Sequence, residues 1–225
     1  TVTGMKKPRY RPKKGAVQHG GVPLDFLAQE ILDVASSPRG NRHIWQWLTK
    51  QVPRLGHFEG WLRAQNLTWP SNVWVGASVT AKATLSRATQ LAQIGDDKMV
   101  RFLSVEPLWD DVDLGPVLQS GRIHWVIVGG ESPQANGTTS EFKLEWARSI
   151  LGQCRRFEVP YFLKQVGGNA TEGGKRWATS DRHGGKWDEW PNDLRVREMP
   201  QLAAPSPGIQ VVQAERRTRP KNSQK

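Results

Sequence analysis

The stretch "HWVIVGGES", His124–Ser132, joins a run of apolar residues to an abrupt polar end. Four consecutive apolar residues without alternation are typical of a strand buried on both faces, as in a parallel sheet covered by helices. Gly129 and Gly130 then allow a sharp turn or a close approach of the backbone to another group. Glu131 and Ser132 follow at the place where α/β proteins carry their chemistry. The stretch therefore predicts an α/β fold with a site at this end of the strand.

Four further stretches have a similar character and predict strands over 43–50, 73–80, 99–108 and 159–167. The first of them is also compatible with a helix, because it contains two tryptophans. Helix-length segments separate the five stretches, and their centres are 24 to 35 residues apart when measured from Leu48 to Val75, Leu103, Ile127 and Phe162. This spacing suits right-handed β/α/β crossovers. Residues 140–154 predict one of the helices, with Ser140 as its N-cap.

A complete eight-unit barrel needs roughly 250 residues, more than the predicted array occupies. We therefore predict a partial (β/α) barrel, or an open sheet, of about five parallel strands with flanking helices. We predict four segments. Residues 1–21 form a disordered basic arm, and residues 22–168 form the partial barrel. Residues 169–200 form an irregular extension rich in glycine and tryptophan, and residues 201–225 form a proline-containing basic tail.

Most of the net charge of +11 lies at the two ends of the chain. Residues 1–14 carry six basic side chains and no acid, and residues 214–225 carry five bases and one acid, which leaves +1 for the rest. Such ends suit nucleic acid, and they equally suit a purely solubilising role. The candidate nucleic-acid contacts are Lys6, Lys7, Arg9, Arg11, Lys13, Lys14, Arg216, Arg217 and Arg219.

Three features of the sequence bear on the cellular location. No apolar run is long enough to cross a bilayer, and the basic start is not followed by the apolar stretch of a secretory signal. The single cysteine, Cys154, excludes an internal disulfide and fits a reducing compartment. We expect a cytoplasmic protein without a membrane partner. Cys154 lies on the apolar side of the helix predicted for residues 140–154, which favours a core position.

In a parallel array, all carboxyl ends of the strands meet at one edge, and catalytic residues come from several of them. Two carboxylates and a lysine there can bind a polar ligand or act as acid and base. Each glutamate could instead accept hydrogen bonds from the amides of its own turn, and the lysine could form an ion pair with one of them. The histidines show no metal-ligand spacing. The candidate ligand-binding residues are Ser78, Glu106, Gly129, Gly130, Glu131, Ser132 and Lys164.

Six separated stretches, in this order and at this spacing, resemble the phage gene-product 37/68 family. They are "WLTK", "NVWVGASV", "VRFLSVEPL", "HWVIVGGES", "VPYFLKQVG" and "KWDEWP", and the resemblance covers about residues 22 to 200. The family is radical-SAM-like, of unknown function, and found in phages, plasmids and bacterial genomes. The resemblance implies a (β/α) barrel of the radical S-adenosylmethionine type.

Full-length members of that family carry a CxxxCxxC segment whose thiolates hold a [4Fe–4S] cluster. This segment and the first two β/α units have no counterpart here, so we expect no cluster, no metal and no cofactor supplied by this chain alone. S-adenosylmethionine stays the ligand that the resemblance implies. Three hypotheses remain open: a truncated or degenerate radical-SAM-like protein of a phage or mobile element with a weak ligand pocket, a non-catalytic nucleic-acid-binding protein, and a chain whose missing barrel units come from a separate partner.

Overall fold

Five parallel strands form the central sheet, and they follow one another in space as they do along the chain. The computed structural model describes residues 22–133 and 139–201, so the predicted basic arm and the tail beyond residue 201 lie outside the described residues. The five strands confirm the predicted parallel α/β array. They are β1 (Trp45–Thr49), β2 (Val73–Ser78), β3 (Arg101–Val105), β4 (Trp125–Gly129) and, after a short strand described below, β6 (Tyr161–Gln165).

Helices connect the strands, as crossovers between parallel strands require. Before β1 a single helical segment runs through α1 (Leu24–Leu27), a π-helical stretch (Ala28–Asp33) and α2 (Val34–Ser36). The other helices are α3 (Val52–Ala64), a 3₁₀ turn (Lys82–Thr84), α4 (Ser86–Leu91), α5 (Gly115–Leu118), α6 (Leu144–Arg156), and two 3₁₀ turns (Trp187–Glu189 and Asn192–Leu194). None of the helices described is long and apolar enough to cross a membrane.

The two faces of the sheet pack differently, because successive side chains of a strand point to opposite faces. On β4, Val126 and Val128 belong to the main core, together with the buried side chains of α4 and α6. The neighbouring Trp125 and Ile127 belong to a separate cluster on the other face, with Trp74 of β2, Phe102 of β3 and no helical residue. All five residues of β4 are buried, which confirms the prediction of a strand covered on both faces.

The sheet is open within the described residues, because β1 and β6 stand at its two edges and do not pair with each other. The edge at β6 is covered by the segment 196–198. Leu163 N–H donates to the Val196 carbonyl at 2.9 Å, and Glu198 N–H donates to the Tyr161 carbonyl at 2.8 Å. The architecture is that of a partial β/α fold with one edge strand protected by the end of the described chain.

Two predictions about the region after β4 are wrong. The helix α6 begins at Leu144, and its N-cap is Lys143 rather than Ser140. The preceding residues form the short strand β5 (Phe142–Lys143), which pairs with β7 (Ala170–Glu172). The extension after residue 168 is not wholly irregular, because β7 also pairs with β8 (Lys175–Arg176) as an antiparallel hairpin. Together these strands form a second, three-stranded sheet.

Candidate functional site

The carboxyl ends of the parallel strands bring a carboxylate, an ammonium and a hydroxyl into contact. Glu106 follows β3 directly, and its Oε1 lies 3.2 Å from Lys164 Nζ of β6. Its second oxygen, Oε2, accepts a hydrogen bond of 3.2 Å from the Ser104 hydroxyl. The Glu106 side chain is 18% exposed and that of Lys164 is 55% exposed, so the pair opens to solvent on the lysine side. Two of the predicted site residues, Glu106 and Lys164, thus meet at the carboxyl end of the sheet.

The pair is unusual because its members come from strands that are not neighbours. The sheet order places β4 between β3 and β6. On one side of β4, Val105 is in register with Val128, so Glu106 lies beside Gly129. On the other side, a bulge after Val128 places Gln165 opposite Gly129 and leaves Lys164 without a register partner. A Cβ at Gly129 would lie 2.5 Å from Glu106 Oε1. The missing side chain therefore leaves the gap through which the lysine reaches the glutamate.

Gly130 is needed for a close approach of two backbones. A Cβ at this position would overlap the carbonyl of Val166, which follows β6. The Gly130 N–H donates to the Gln165 carbonyl at 3.0 Å, so it is used within the sheet and does not point at a ligand. Gln165 Nε2 donates in turn to the Gly130 carbonyl at 3.1 Å and to Ser132 Oγ at 2.7 Å. The predicted site residues Gly130 and Ser132 thus join β4 to β6.

Glu131 serves its own connection. Its Oε2 accepts the backbone N–H of Ser140 at 2.9 Å, and its carbonyl accepts the N–H of Gly168 at 3.0 Å. The hydrogen bond from the Ser140 N–H is the main reason why the pKa of the Glu131 carboxyl lies below its ordinary value. The Ser140 hydroxyl and the Trp109 side chain contribute further in the same direction. Its carboxylate thus ties together the two ends of the connection between β4 and α6.

Ser78 and Trp109 also lie at the carboxyl end of the sheet. Ser78, the last residue of β2, is buried, and its carbonyl accepts a hydrogen bond of 3.0 Å from Arg87 Nη1. Trp109 is 47% exposed and is held by its N–H, which donates to the Thr80 carbonyl at 2.9 Å. Sequence reasoning missed Trp109 and Ser104. The position of Ser104, two residues before Glu106 on the same face of β3, was a usable signal.

The opposite end of the sheet carries an open groove of about 750 Å³, lined by Ile123, His124, Cys154, Phe157, Val159 and Met199 among others. The imidazole of His124 accepts the Arg101 N–H at 2.9 Å. No ion pair is formed by these groove residues within the part of the chain described. We therefore place the candidate site at the carboxyl end, where charged groups from two strands meet, rather than in this groove.

The residues present do not fit an iron–sulfur cluster. Cys154 is fully buried in α6 at the groove end of the sheet, and burial raises the pKa of its thiol to about 12. A cluster ligand has to be a thiolate that the metal can reach. Over residues 22–133 and 139–201, no three His, Cys, Asp or Glu side chains are grouped so that they could hold a metal ion.

Comparison with known proteins assigns the family. The chain matches the family model described as "Protein of unknown function (DUF5131)" over residues 13–191. The chain belongs to this family. No curated protein and no solved structure matches it. The match in this DUF5131 protein covers the whole five-stranded sheet and the candidate site. The predicted nucleic-acid contacts Lys6, Lys7, Arg9, Arg11, Lys13, Lys14, Arg216, Arg217 and Arg219 lie outside the described residues.

A substitution at Gly129 tests the proposed origin of the Glu106–Lys164 contact in the DUF5131 protein. We expect Gly129→Ala to lower the free energy of unfolding by about 1–3 kcal/mol, because the new methyl group forces the carboxylate away. The same change should cost much less in a Glu106→Ala background, where the opposing oxygen is gone. Urea denaturation of the four proteins gives the coupling between the two positions. Equal costs in both backgrounds would contradict the explanation.

The role of Glu131 predicts a pH dependence. Because the folded pKa of its carboxyl lies below the unfolded one, Glu131 contributes stability above the unfolded pKa and loses it as the pH falls through the folded pKa. We expect Glu131→Gln to be less stable than the wild type by about 1 kcal/mol near pH 7, a value that allows for solvent screening. The difference should shrink as denaturation is repeated toward pH 3. A difference that does not change with pH would contradict this role.

Proposed function

We propose that the carboxyl end of the sheet binds a small zwitterionic ligand, and that S-adenosylmethionine is its natural occupant. The observation that carries the proposal is the contact between Glu106 and Lys164 at 3.2 Å, on the edge where β/α proteins bind their ligands. The choice of S-adenosylmethionine rests on the resemblance of the sequence to a radical-SAM-like phage protein family. The reaction type is not part of the proposal.

The chemistry of the pair suits the amino-acid part of such a ligand. Lys164 can donate to the α-carboxylate while the Glu106 carboxylate accepts from the α-ammonium, so each charge of the ligand meets its opposite. The Ser104 hydroxyl keeps the second Glu106 oxygen in place at 3.2 Å. The exposed indole of Trp109, three residues after Glu106, offers an apolar ring surface to the adenine.

We expect the affinity to be weak, because Glu106 and Lys164 already pair with each other and a ligand has to replace this ion pair. A dissociation constant of about 1 mM, roughly 4 kcal/mol, is the corresponding order of magnitude. Chemical-shift titration can measure it. S-adenosylmethionine and S-adenosylhomocysteine should bind, whereas methylthioadenosine, which lacks the amino-acid part, should bind at least tenfold more weakly because it loses both charged contacts.

Variants of the two charged residues complete this test. Glu106→Gln and Lys164→Met should each weaken S-adenosylhomocysteine binding about tenfold. Lys175→Met is the matched control for the loss of a cation, since Lys175 lies in the exposed strand β8. This control should bind as the wild type does. The proposal fails if the wild type shows no response, or if neither Glu106→Gln nor Lys164→Met changes it.

The distribution of charge favours a second candidate function. All but one unit of the net charge of +11 is carried by residues 1–14 and 214–225, so we propose as the alternative a nucleic-acid-binding protein that acts through its ends. Binding should then be independent of sequence, and log K should fall with log salt by about 0.9 for each phosphate neutralised. Fluorescence anisotropy on a protein without these two segments should show no binding. Binding that persists after the deletion would contradict this candidate.

A further inference from the structure

The edge strand β1 has one paired side and one open side. It pairs with β2 in parallel from Trp45↔Val73 to Thr49↔Ala77. Within residues 22–133 and 139–201, no strand lies on its other side. The far edge of the same sheet, at β6, is covered by the segment 196–198. In the part of the chain that the structure describes, one edge of the sheet is therefore covered and the other is open.

The open side presents backbone groups in a regular pattern. The Trp45 N–H donates to the Asn72 carbonyl at 2.8 Å, so the N–H and C=O of Trp45 face β2. Because these groups alternate in direction from one residue to the next along a strand, those of Gln46 and Leu48 face away from β2. Four backbone polar groups are therefore available at this edge in the described part of the chain.

β1 lacks the features that usually keep an edge strand apart from other strands. Its sequence, "WQWLT", contains no charged residue and no proline, and its register with β2 shows no bulge. Large apolar side chains are exposed along it, with 38% of Trp45 and 48% of Leu48 accessible to solvent. Ile44, directly before the strand, is 39% exposed. An edge of this kind favours the addition of another strand.

We propose that β1 pairs with β1 of a second copy of this chain, antiparallel and about a two-fold axis at Trp47. This register overlaps the whole of both strands and places Gln46 opposite Leu48 of the second copy. Each such pair exchanges two backbone hydrogen bonds, so the four open groups of each copy are all satisfied.

The charges next to β1 support a second copy as the occupant, because β1 itself contains no charged residue. In this register Lys50, which directly follows the strand, lies opposite Ile44 of the second copy and not opposite a cation. The pairing creates a continuous ten-stranded sheet in which the carboxyl ends of the two copies point in opposite directions. The two candidate sites stay apart, and the dimer does not rest on the proposed ligand.

Sedimentation equilibrium on the full chain tests the proposal, and we expect a dimer. Gln46→Pro should weaken it about thirtyfold, because each dimer loses two hydrogen bonds. The Gln46 N–H faces away from β2, so proline removes no bond within the protomer. Gln46→Thr keeps the N–H and is the matched control, with dimerisation as in the wild type. Circular dichroism and the melting temperature of each variant verify that the protomer stays folded. Both are measured at protein concentrations too low for dimerisation.

Engineered cysteines test the register, since the native Cys154 is buried. A mixture of the Gln46→Cys and Leu48→Cys proteins should form a disulfide-linked heterodimer under mild oxidation. Each protein alone should cross-link much less, because 46 and 46, or 48 and 48, are only diagonal neighbours. The proposal is overturned if the wild type is monomeric, as it would be if a chain of other sequence or residues 1–21 occupied this edge. A dimer that Gln46→Pro leaves unchanged would also overturn it.

Discussion

The absence of a side chain at Gly129 is the constraint on which the candidate site depends. Glu106 and Lys164 belong to strands separated by β4, and neighbouring strands in a sheet lie about 4.8 Å apart. Two residues on either side of a central strand can form an ion pair only if the residue between them leaves the space open. Gly129 does so, and Gly130 lets the ends of β4 and β6 approach further, because a Cβ there would overlap the Val166 carbonyl. The geometry of the charged pair follows from these two positions.

Glu106 and Glu131 both follow strands of the sheet, but their carboxylates have different partners. Glu131 continues the chain beyond β4, where the N–H of Ser140 lies within 2.9 Å of its carboxylate. Glu106 follows β3, where its oxygens meet a hydroxyl and an ammonium, both on side chains. A carboxylate bound to backbone N–H groups fixes a loop, whereas a carboxylate bound to an exposed ammonium can exchange that partner for a ligand. Of the two glutamates, Glu106 is therefore the one whose charged partner is open to solvent.

The features that local pattern determines could be predicted from the sequence. Largely apolar stretches predicted the five strands, although the first was also compatible with a helix, and the common direction of the strands predicted that Glu106 and Lys164 lie at one end of the sheet. What could not be predicted depends on partners distant in the sequence. The start of α6 at Leu144 reflects the pairing of Phe142 with Ala170. Arg101, inside β3, is fully buried because backbone carbonyls, including those of Ile94 and Met99, accept its guanidinium hydrogens. No residue type in the sequence marks such acceptors.

Contacts of Arg197 fix the edge strand β6, which carries Lys164. Arg197 donates to the carbonyls of Leu163 and Lys164, at 3.1 Å and 2.9 Å, and its guanidinium lies 5.0 to 5.3 Å from the centres of three aromatic rings, those of Phe162, Trp187 and Trp190. These contacts hold the backbone of β6 from outside the sheet, while β4 pairs with the residues on either side of Lys164, Leu163 and Gln165, from inside. The ammonium that faces Glu106 therefore extends from a strand fixed on both sides. Separation of Lys164 from Glu106 then requires movement of the lysine side chain alone, and the strand can stay in place.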